Sequence, residues 1–153
     1  MNHWLLKSEP DTFGVHHLKK APRQRSAWDG VRNFQARNYL REMKEGDTAF
    51  FYHSSCPEPG IAGIVKVTRA AFPDPSAFDP KHAYYDEESD PKKPKWYAVE
   101  VQLEKVLERV VTLDELRSHA DDELKDMIIL RRGNRLSVTP VSAKEWRFIA
   151  TLM

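Results

Sequence analysis

Several polar side chains in this sequence lie beside aromatic residues, each group at the predicted end of a strand or start of a helix. They are Lys7, Ser8, Glu9, Trp28, Arg32, Asn33, Tyr52, His53, Ser54 and Ser137. An indole ring offers a flat surface for a planar heterocycle, and stacking is worth roughly 1–3 kcal/mol for a nucleobase. Hydroxyl, amide and carboxylate groups can hydrogen-bond the edge of such a ring. Together these groups indicate a nucleobase-binding pocket if folding brings them together. Singly, each has a structural interpretation as a core aromatic or a turn cap.

The stretch 28–43, WDGVRNFQARNYLREM, predicts a tight turn followed by a short helix. Asp29 is a favourable N-cap residue, and Gly30 permits a close approach of the backbone to another group. Arg32 would then lie in the first helical turn, where the helix dipole disfavours a cation. A nearby carboxylate, with Asp29 the obvious candidate, or a bound ligand would relieve this cost. The core-facing side of the helix is predicted to present Ala36, Leu40 and Met43.

Other site chemistries find less support. No glycine-rich phosphate loop is present, and no His, Cys or carboxylate spacing matches a zinc site. His53 and Cys56 could form a nucleophile pair, but the proline-rich context of Cys56 favours an ordinary loop cysteine. Glu9 and Asp29 could serve as general acid and base, although capping and ion-pair roles are simpler. We therefore predict no catalytic residue, no metal ligand and no cofactor.

Length and charge limit the classes of protein to consider. The chain has 153 residues, with 24 Lys and Arg against 23 Asp and Glu, and a formal net charge of +1. This length suits one domain over residues 1–153 with a proper core. The near balance of charge argues against non-specific coating of nucleic acid but allows a local basic pocket. A single cysteine excludes a disulfide framework. With no signal sequence or membrane-spanning run visible, we expect a soluble cytoplasmic protein that does not bind membranes.

Two polar segments are predicted to be loops. Residues 19–26, KKAPRQRS, are basic, so Arg23 and Arg25 could contact phosphate, although a solvated surface is the commoner role of such a run. Residues 72–95 carry five prolines and show no periodicity. A loop of that length in a compact domain is usually functional or mobile.

The remaining segments predict a mixed chain of strands and short helices. Apolar or alternating runs predict strands at 3–7, 48–53, 61–69, 96–103, 106–111 and 136–138. Capping patterns predict helices beginning after Thr112 and Ser142, and a further short helix through 127–130. The strands at 48–53 and 61–69 are expected to pair antiparallel. This pattern favours an α/β (α+β) fold built on a small, partly closed and mostly antiparallel barrel with helices packed outside.

Long segments across the whole chain resemble EVE-domain proteins. They are HWLLKSEPD, WDGVRNFQARNYLR, FFYHSSCPEPGIAGIVKV, FPDPSAFDP, YYD, PKWYAVEVQ and RLSVTPVS. Phe34 is one departure, because the family more often has Tyr there, and one hydrogen bond would be lost with the hydroxyl. The resemblance implies a PUA-like pseudo-barrel related to YTH domains.

The resemblance also implies a non-enzymatic reader of a modified base, with modified cytosine in DNA as the favoured ligand. By motif match, the residues of the first paragraph would form the pocket. In the resulting hypothesis the base is flipped out and Trp28 stacks on it, while Ser8, Glu9 and Asn33 hydrogen-bond its edge. Flanking phosphate would be held by Lys7, Arg32, Arg23 and Arg25.

Three alternatives stay open at this point. The first is an RNA-binding module that reads a modified base in transfer or ribosomal RNA. The second is a base-processing enzyme that uses Glu9 or Asp29 as general acid or base. The third is a protein-interaction module that acts through residues 72–95, whose deletion would then leave base binding intact.

Overall fold

The fold is a six-stranded mixed sheet with short helices, seen in a computed structural model that describes residues 1–153. The strands are β1 His3–Ser8, β2 Arg25–Trp28, β3 Thr48–His53, β4 Gly60–Pro73, β5 Tyr97–Thr112 and β6 Val138–Val141. The helices are α1 Pro10–Phe13, α2 Val15–Lys20, α3 Phe34–Glu42, α4 Leu113–Arg117 and α5 Ala143–Ala150. Short 3₁₀ turns occupy Pro22–Gln24, Pro75–Phe78 and Ile128–Leu130. None of the helices is long and apolar enough to cross a membrane.

The sheet order is β2-β5-β4-β3-β1-β6. The pair β1–β3 is parallel, while the other four pairs are antiparallel, including the expected pair of β3 and β4. The predicted mixed and mostly antiparallel architecture is therefore confirmed.

The sheet curls strongly into a pseudo-barrel. Strands β2 and β3 are separated by two other strands, so a flat sheet would place them about 14 Å apart. The ring of Trp28 on β2 nevertheless meets the ring of Phe51 on β3 edge-on, with centroids 5.2 Å apart. Helix α3 also lies against β4, β5 and β6 at once. The curl brings segments distant in sheet order around one interior.

Alternation along the strands divides the core between the two faces of the sheet. On β1, Trp4 and Leu6 join the interior cluster that also contains Phe51 and the buried face of α3. Leu5 points to the opposite face, where a second cluster packs beneath α5. The predicted α3 face of Ala36, Leu40 and Met43 is buried in the first cluster.

The segment before α3 differs from its sequence-based prediction. The helix begins at Phe34 rather than just after Asp29, and its N-cap is Asn33, whose Oδ1 accepts a hydrogen bond from the Ala36 amide at 2.9 Å. Residues 25–28, expected to be loop and turn, form β2 against β5. Residues 29–33 are then a connection with no helical or strand assignment. The expectation that Asp29 caps this helix was wrong because an ion pair described below holds the connection away from helical geometry.

Smaller differences concern the second half of the chain. The two strands expected between 96 and 111 are one strand, β5, with several register shifts. Strand β6 includes Pro140, which is tolerated because β6 is an edge strand. The helix expected through 127–130 is a turn region that ends in 3₁₀ geometry. The structure confirms the predicted helices that begin after Thr112 and Ser142. Each of these hydroxyls accepts a hydrogen bond from a backbone amide of the first turn.

Candidate functional site

The ends of three strands meet at one edge of the pseudo-barrel. The Lys7 amide donates to the Ser137 carbonyl at 2.8 Å, and the Ser54 amide donates to the Ser8 carbonyl at 3.0 Å. These bonds fix the segments that follow β1 and β3 beside the segment that precedes β6. Half-buried serine hydroxyls from all three segments consequently share one surface.

That surface is the floor of an open cleft of about 430 Å³, within the size range of ligand pockets. Its lining is polar with few apolar side chains: Lys7, Ser8, Glu9, Thr12, Trp28, Asp29, Gly30, Val31, Arg32, Ser54, Ser55, Tyr84, Arg135 and Ser137. An adjoining recess of about 290 Å³ shares Ser8, Thr12, Trp28, Asp29 and Tyr84 with it. Seven of the ten pocket residues expected from the sequence therefore lie together.

Two aromatic residues shape the cleft in different ways. Trp28 is only 6% exposed, because its ring packs edge-on against Phe13 and Phe51. It forms part of the wall but presents little free ring surface. Tyr84 is 37% exposed and lies across Gly30, where a Cβ atom would come 2.4 Å from the tyrosine ring. Since Gly30 also has a φ of +76°, both space and conformation require glycine there, which confirms the expected close approach.

A buried ion pair fixes the connection between β2 and α3. The Asp74 side chain is fully buried, and its Oδ2 accepts from Arg32 Nη1 at 3.0 Å and from the Gly30 amide at 2.9 Å. Its Oδ1 accepts from the amide and hydroxyl of Ser76 at 2.8 and 2.6 Å. The carboxylate predicted to neutralise Arg32 therefore exists, but it is Asp74 rather than Asp29.

Hydrogen bonding keeps Asp74 ionised. Burial by itself would raise the pKa of this carboxyl, but hydrogen bonds from Ser76, Gly30 and Arg32 outweigh burial and lower the pKa. The Arg32 guanidinium also donates to the carbonyls of Val31 and Tyr84 and to the Ser76 hydroxyl. Both of its terminal nitrogens are thus engaged by the protein. We assign Arg32 to holding the cleft wall rather than to binding phosphate.

The long segment after β4 belongs to the cleft. Arg32 Nη2 donates to the Tyr84 carbonyl at 2.7 Å, and Trp96 Nε1 donates to Asp86 Oδ2 at 2.8 Å. Arg37 donates to the Lys95 carbonyl at 2.8 Å. These bonds seat the segment against the barrel, and it supplies the exposed aromatic wall. The protein-interaction alternative expects base binding to survive deletion of residues 72–95, but that deletion would remove Tyr84 and the partners of Arg32 from this cleft.

Two charged groups in the cleft have pKa values that their surroundings shift. Burial lowers the pKa of Lys7, whose ammonium lies 5.8 Å from the Tyr52 ring centroid. The pKa of Asp29 is raised, first by burial and then by the negative charge of Asp74. No hydrogen bond from another residue reaches the Asp29 carboxylate. Asp29 therefore keeps acceptor capacity free at the cleft surface.

Three of the expected pocket residues lie outside the cleft. Asn33 caps α3, and Tyr52 is buried in the opposite core, where burial raises its pKa to about 12. His53 Nε2 accepts from the Val15 amide at 3.0 Å, which joins β3 to α2, and burial lowers the pKa of His53. Ser54 follows the end of β3 and lines the cleft, whereas Tyr52 and His53 lie within the strand and are held by the core and by α2.

The two arginines expected to hold phosphate also lie away from the cleft. Arg25 is 3.7 Å from Glu100 and lines a separate depression with Lys66. Arg23 is exposed on the 3₁₀ turn before β2. The cleft instead has Arg135, from the basic turn 131–135, at its rim.

Sequence reasoning left out several residues that the fold adds to the cleft: Thr12, Asp29, Ser55, Tyr84 and Arg135. Asp29 and Arg135 carried a usable signal, since each is adjacent or nearly adjacent to a predicted pocket residue. For Tyr84 the only signal was the YYD segment of the family resemblance, because the surrounding residues show no periodicity and Tyr84 is placed by Asp74 and Arg32.

A second depression of about 380 Å³ lies between residues 122–131 and 140–145. Its lining is mostly charged and contains no aromatic ring. Such a surface offers no stacking partner, so the cleft beside Trp28 and Tyr84 is the better candidate for a heterocyclic ligand.

The curled mixed sheet with its flanking helices defines a PUA-like fold. A YTH domain from Zygosaccharomyces rouxii, solved in complex with N6-methyladenosine RNA, matches 99% of this chain and 83% of its own, with a TM-score of 0.55 and 17% identity. At that identity the likeness concerns the fold alone.

A family model for the EVE domain matches residues 2–152, so the chain belongs to the EVE-domain family. Thymocyte nuclear protein 1 from Danio rerio is 45% identical over 97% of this chain and 71% of its own length. A crystal structure from Pseudomonas syringae has a TM-score of 0.93 with 45% identity, covering 98% of both chains. Human THYN1 in complex with DNA containing 5-methylcytosine has a TM-score of 0.95 with 42% identity, covering 99% of this chain and 97% of that chain.

Proposed function

We propose that this protein binds DNA that carries a modified base, with 5-methylcytosine as the first candidate, and leaves the base chemically unchanged. The observation that carries the proposal is the complex of human THYN1 with 5-methylcytosine DNA, whose fold this chain shares along its whole length. The open polar cleft beside Tyr84 supplies a site of suitable size and chemistry.

In this proposal the cleft takes up one flipped base. A base must leave the duplex stack to enter a recess between side chains, at a cost of a few kcal/mol. The exposed ring of Tyr84 and the edge of Trp28 provide apolar contact, and the hydroxyls of Ser8, Ser54 and Ser137 provide hydrogen bonds. Stacking worth roughly 1–3 kcal/mol and a few hydrogen bonds approximately offset the cost of flipping, so affinity should be modest.

Binding should depend on methylation. We expect fluorescence anisotropy with labelled oligonucleotides to show at least tenfold tighter binding, about 1.4 kcal/mol, to a strand with one 5-methylcytosine than to the matched unmodified strand. The same experiment includes matched RNA strands and duplex DNA. Equal affinity for modified and unmodified DNA would contradict the proposal, and a preference confined to the RNA strands would replace DNA by RNA as the ligand.

Recovery of the oligonucleotide tests whether the protein leaves the modified base chemically unchanged. Both Glu9 and Asp29 line the cleft, so they are the carboxyl groups that an acid–base mechanism at this site would use. After long incubation at excess protein, mass spectrometry should return the modified strand unchanged. A product that forms with the wild type and disappears in Glu9→Gln would establish a base-processing enzyme instead.

Arg135 is the phosphate contact that this geometry favours. It lines the cleft at the end of a turn with two further exposed arginines, whereas Arg32 is fully engaged by the protein. We expect Arg135→Ala to weaken binding to all strands alike and to reduce the slope of log affinity against log salt by about 1. Arg23→Ala, which removes an exposed arginine outside the cleft, is the control and should leave the slope unchanged. A reduced slope in the control and not in Arg135→Ala would return the phosphate site to the loop 19–26.

A further inference from the structure

The cleft contains two side chains that can only accept hydrogen bonds when ionised. Glu9 is exposed at the rim, whereas Asp29 is half-buried. The serine and threonine hydroxyls around them can donate or accept, so they fit either kind of base edge. Lys7 and Arg135 can only donate. Asp29 is therefore the one recessed group that, when ionised, can only accept hydrogen bonds.

The position of Asp29 places it beside both aromatic walls. It directly follows Trp28, and it lines the cleft and the adjoining recess together with Tyr84. No other residue donates a hydrogen bond to its carboxylate. A ligand that lies against the aromatic rings would consequently meet a carboxylate that is free to accept a hydrogen bond from it.

A reader of 5-methylcytosine has to solve a particular chemical problem in DNA. Thymine carries the same methyl group at C5, so a site that detects only the methyl would also accept thymine. The two bases differ at position 4, where cytosine presents an amino donor and thymine a carbonyl acceptor. A carboxylate at that position accepts from the amino group and repels the carbonyl.

We propose that Asp29 is the specificity-determining residue of the cleft, which accepts a hydrogen bond from the exocyclic amino group of the methylated cytosine and thereby rejects thymine. This inference rests on the proposed function, and it adds the group that distinguishes the ligand from the commonest base of similar shape.

The surroundings of Asp29 give the selectivity a pH dependence. Asp74, Arg32 and His82 act on its charge, and Lys7, Glu9 and Arg135 line the same cleft. Since the pKa of Asp29 is raised, its ionised form destabilises the folded state above that pKa. A carboxyl group in a cleft whose ionised form destabilises the fold is typical of a binding site. As pH falls through this pKa, the protonated carboxyl can donate to the thymine carbonyl. The ratio of affinities for methylcytosine over thymine should therefore decrease.

The test compares two strands that differ only in one base, 5-methylcytosine or thymine, by fluorescence anisotropy at neutral pH. We expect the wild type to prefer the methylcytosine strand at least tenfold. Asp29→Asn should lose most of that preference, because a rotated amide can donate to thymine or accept from cytosine. Asp29→Ala should lose it as well. Asp11→Asn removes the same charge from an exposed residue outside the cleft and should keep the preference.

Urea unfolding accompanies these variants, and Asp29→Asn should be at least as stable as the wild type at neutral pH. Retention of the methylcytosine-over-thymine ratio in folded Asp29→Asn and Asp29→Ala would overturn the assignment of Asp29. The same titrations include unmodified cytosine. If the wild type prefers methylcytosine over cytosine while the Asp29 variants keep thymine discrimination, only this inference fails. If the wild type does not distinguish methylcytosine from cytosine, the proposed function fails and the inference falls with it.

Discussion

Replacing Asp74 by alanine should destabilise the fold by about 3 kcal/mol, because it leaves the Arg32 guanidinium partly buried without its partner. The Gly30 amide and the Ser76 amide and hydroxyl lose their acceptor in the same step. Since these groups hold the cleft wall and the Tyr84 segment, binding of modified DNA should be lost as well. Equilibrium unfolding in urea measures the first effect and anisotropy the second.

Asp79→Ala is the matched control for this prediction. Asp79 lies five residues further along the same segment and is exposed, and its carboxylate accepts only from the Lys81 amide at 3.0 Å. Its replacement should change the free energy of unfolding by much less than that of Asp74. Similar unfolding free energies for the two variants would show that the Asp74–Arg32 pair does not organise the site.

The pH dependence of the free energy of unfolding provides a second test of the contribution of Asp74 to stability. Its pKa in the folded protein lies below the ordinary value of 3.8, so the ionised carboxylate stabilises the fold above that value. This contribution is lost as pH falls through the folded pKa. Asp74→Asn should therefore show a smaller loss of stability on acidification than the wild type.

Tyr84→Ala should reduce affinity for the modified strand at least tenfold while changing stability little. Tyr84 is the exposed ring of the cleft, and base–aromatic stacking is worth roughly 1–3 kcal/mol. Its carbonyl, which accepts from Arg32, is retained in the alanine variant. Tyr84→Phe keeps the ring and should bind nearly as well as the wild type. Unchanged affinity in Tyr84→Ala would exclude this ring from the site.

Trp28 is a poor substitute for Tyr84 in this test. It is almost fully buried against Phe13 and Phe51, so Trp28→Ala creates a core cavity expected to cost about 3–5 kcal/mol. A loss of binding in that variant would report unfolding as readily as a lost contact. The sequence supports both roles, as core residue and as stacking platform, and the fold shows that the core role takes most of the ring.

Local patterns were sufficient to predict much of the fold. The strand 48–53 and the cap at Ser142 follow from alternation and from side-chain-to-amide spacing, which act over a few residues. The apolar face of α3 follows from helical periodicity. The first residue of α3 could not be predicted from local patterns, because Asp74 holds the preceding connection and Asn33 rather than Asp29 then caps the helix.

The cleft was only partly predictable for a related reason. The partner of Arg32 is 42 residues away in sequence, and Tyr84 is placed by that pair. No periodicity or spacing encodes such a long-range contact. Conversely, Tyr52, His53 and Asn33 lie close in sequence to cleft residues but are held outside the cleft. Tyr52 packs in the opposite core, His53 accepts from the Val15 amide, and Asn33 caps α3.

The most direct test of the site is an amide ¹H–¹⁵N NMR titration of the labelled protein with a strand that carries one 5-methylcytosine. We expect the largest shifts at the amides of the cleft, with Ser8, Asp29, Gly30, Ser54 and Ser137 as reporters. The unmodified strand should produce clearly smaller shifts at the same concentration. Shifts centred on the charged depression at 122–131 or on the basic loop 19–26, with the cleft signals unmoved, would contradict the account.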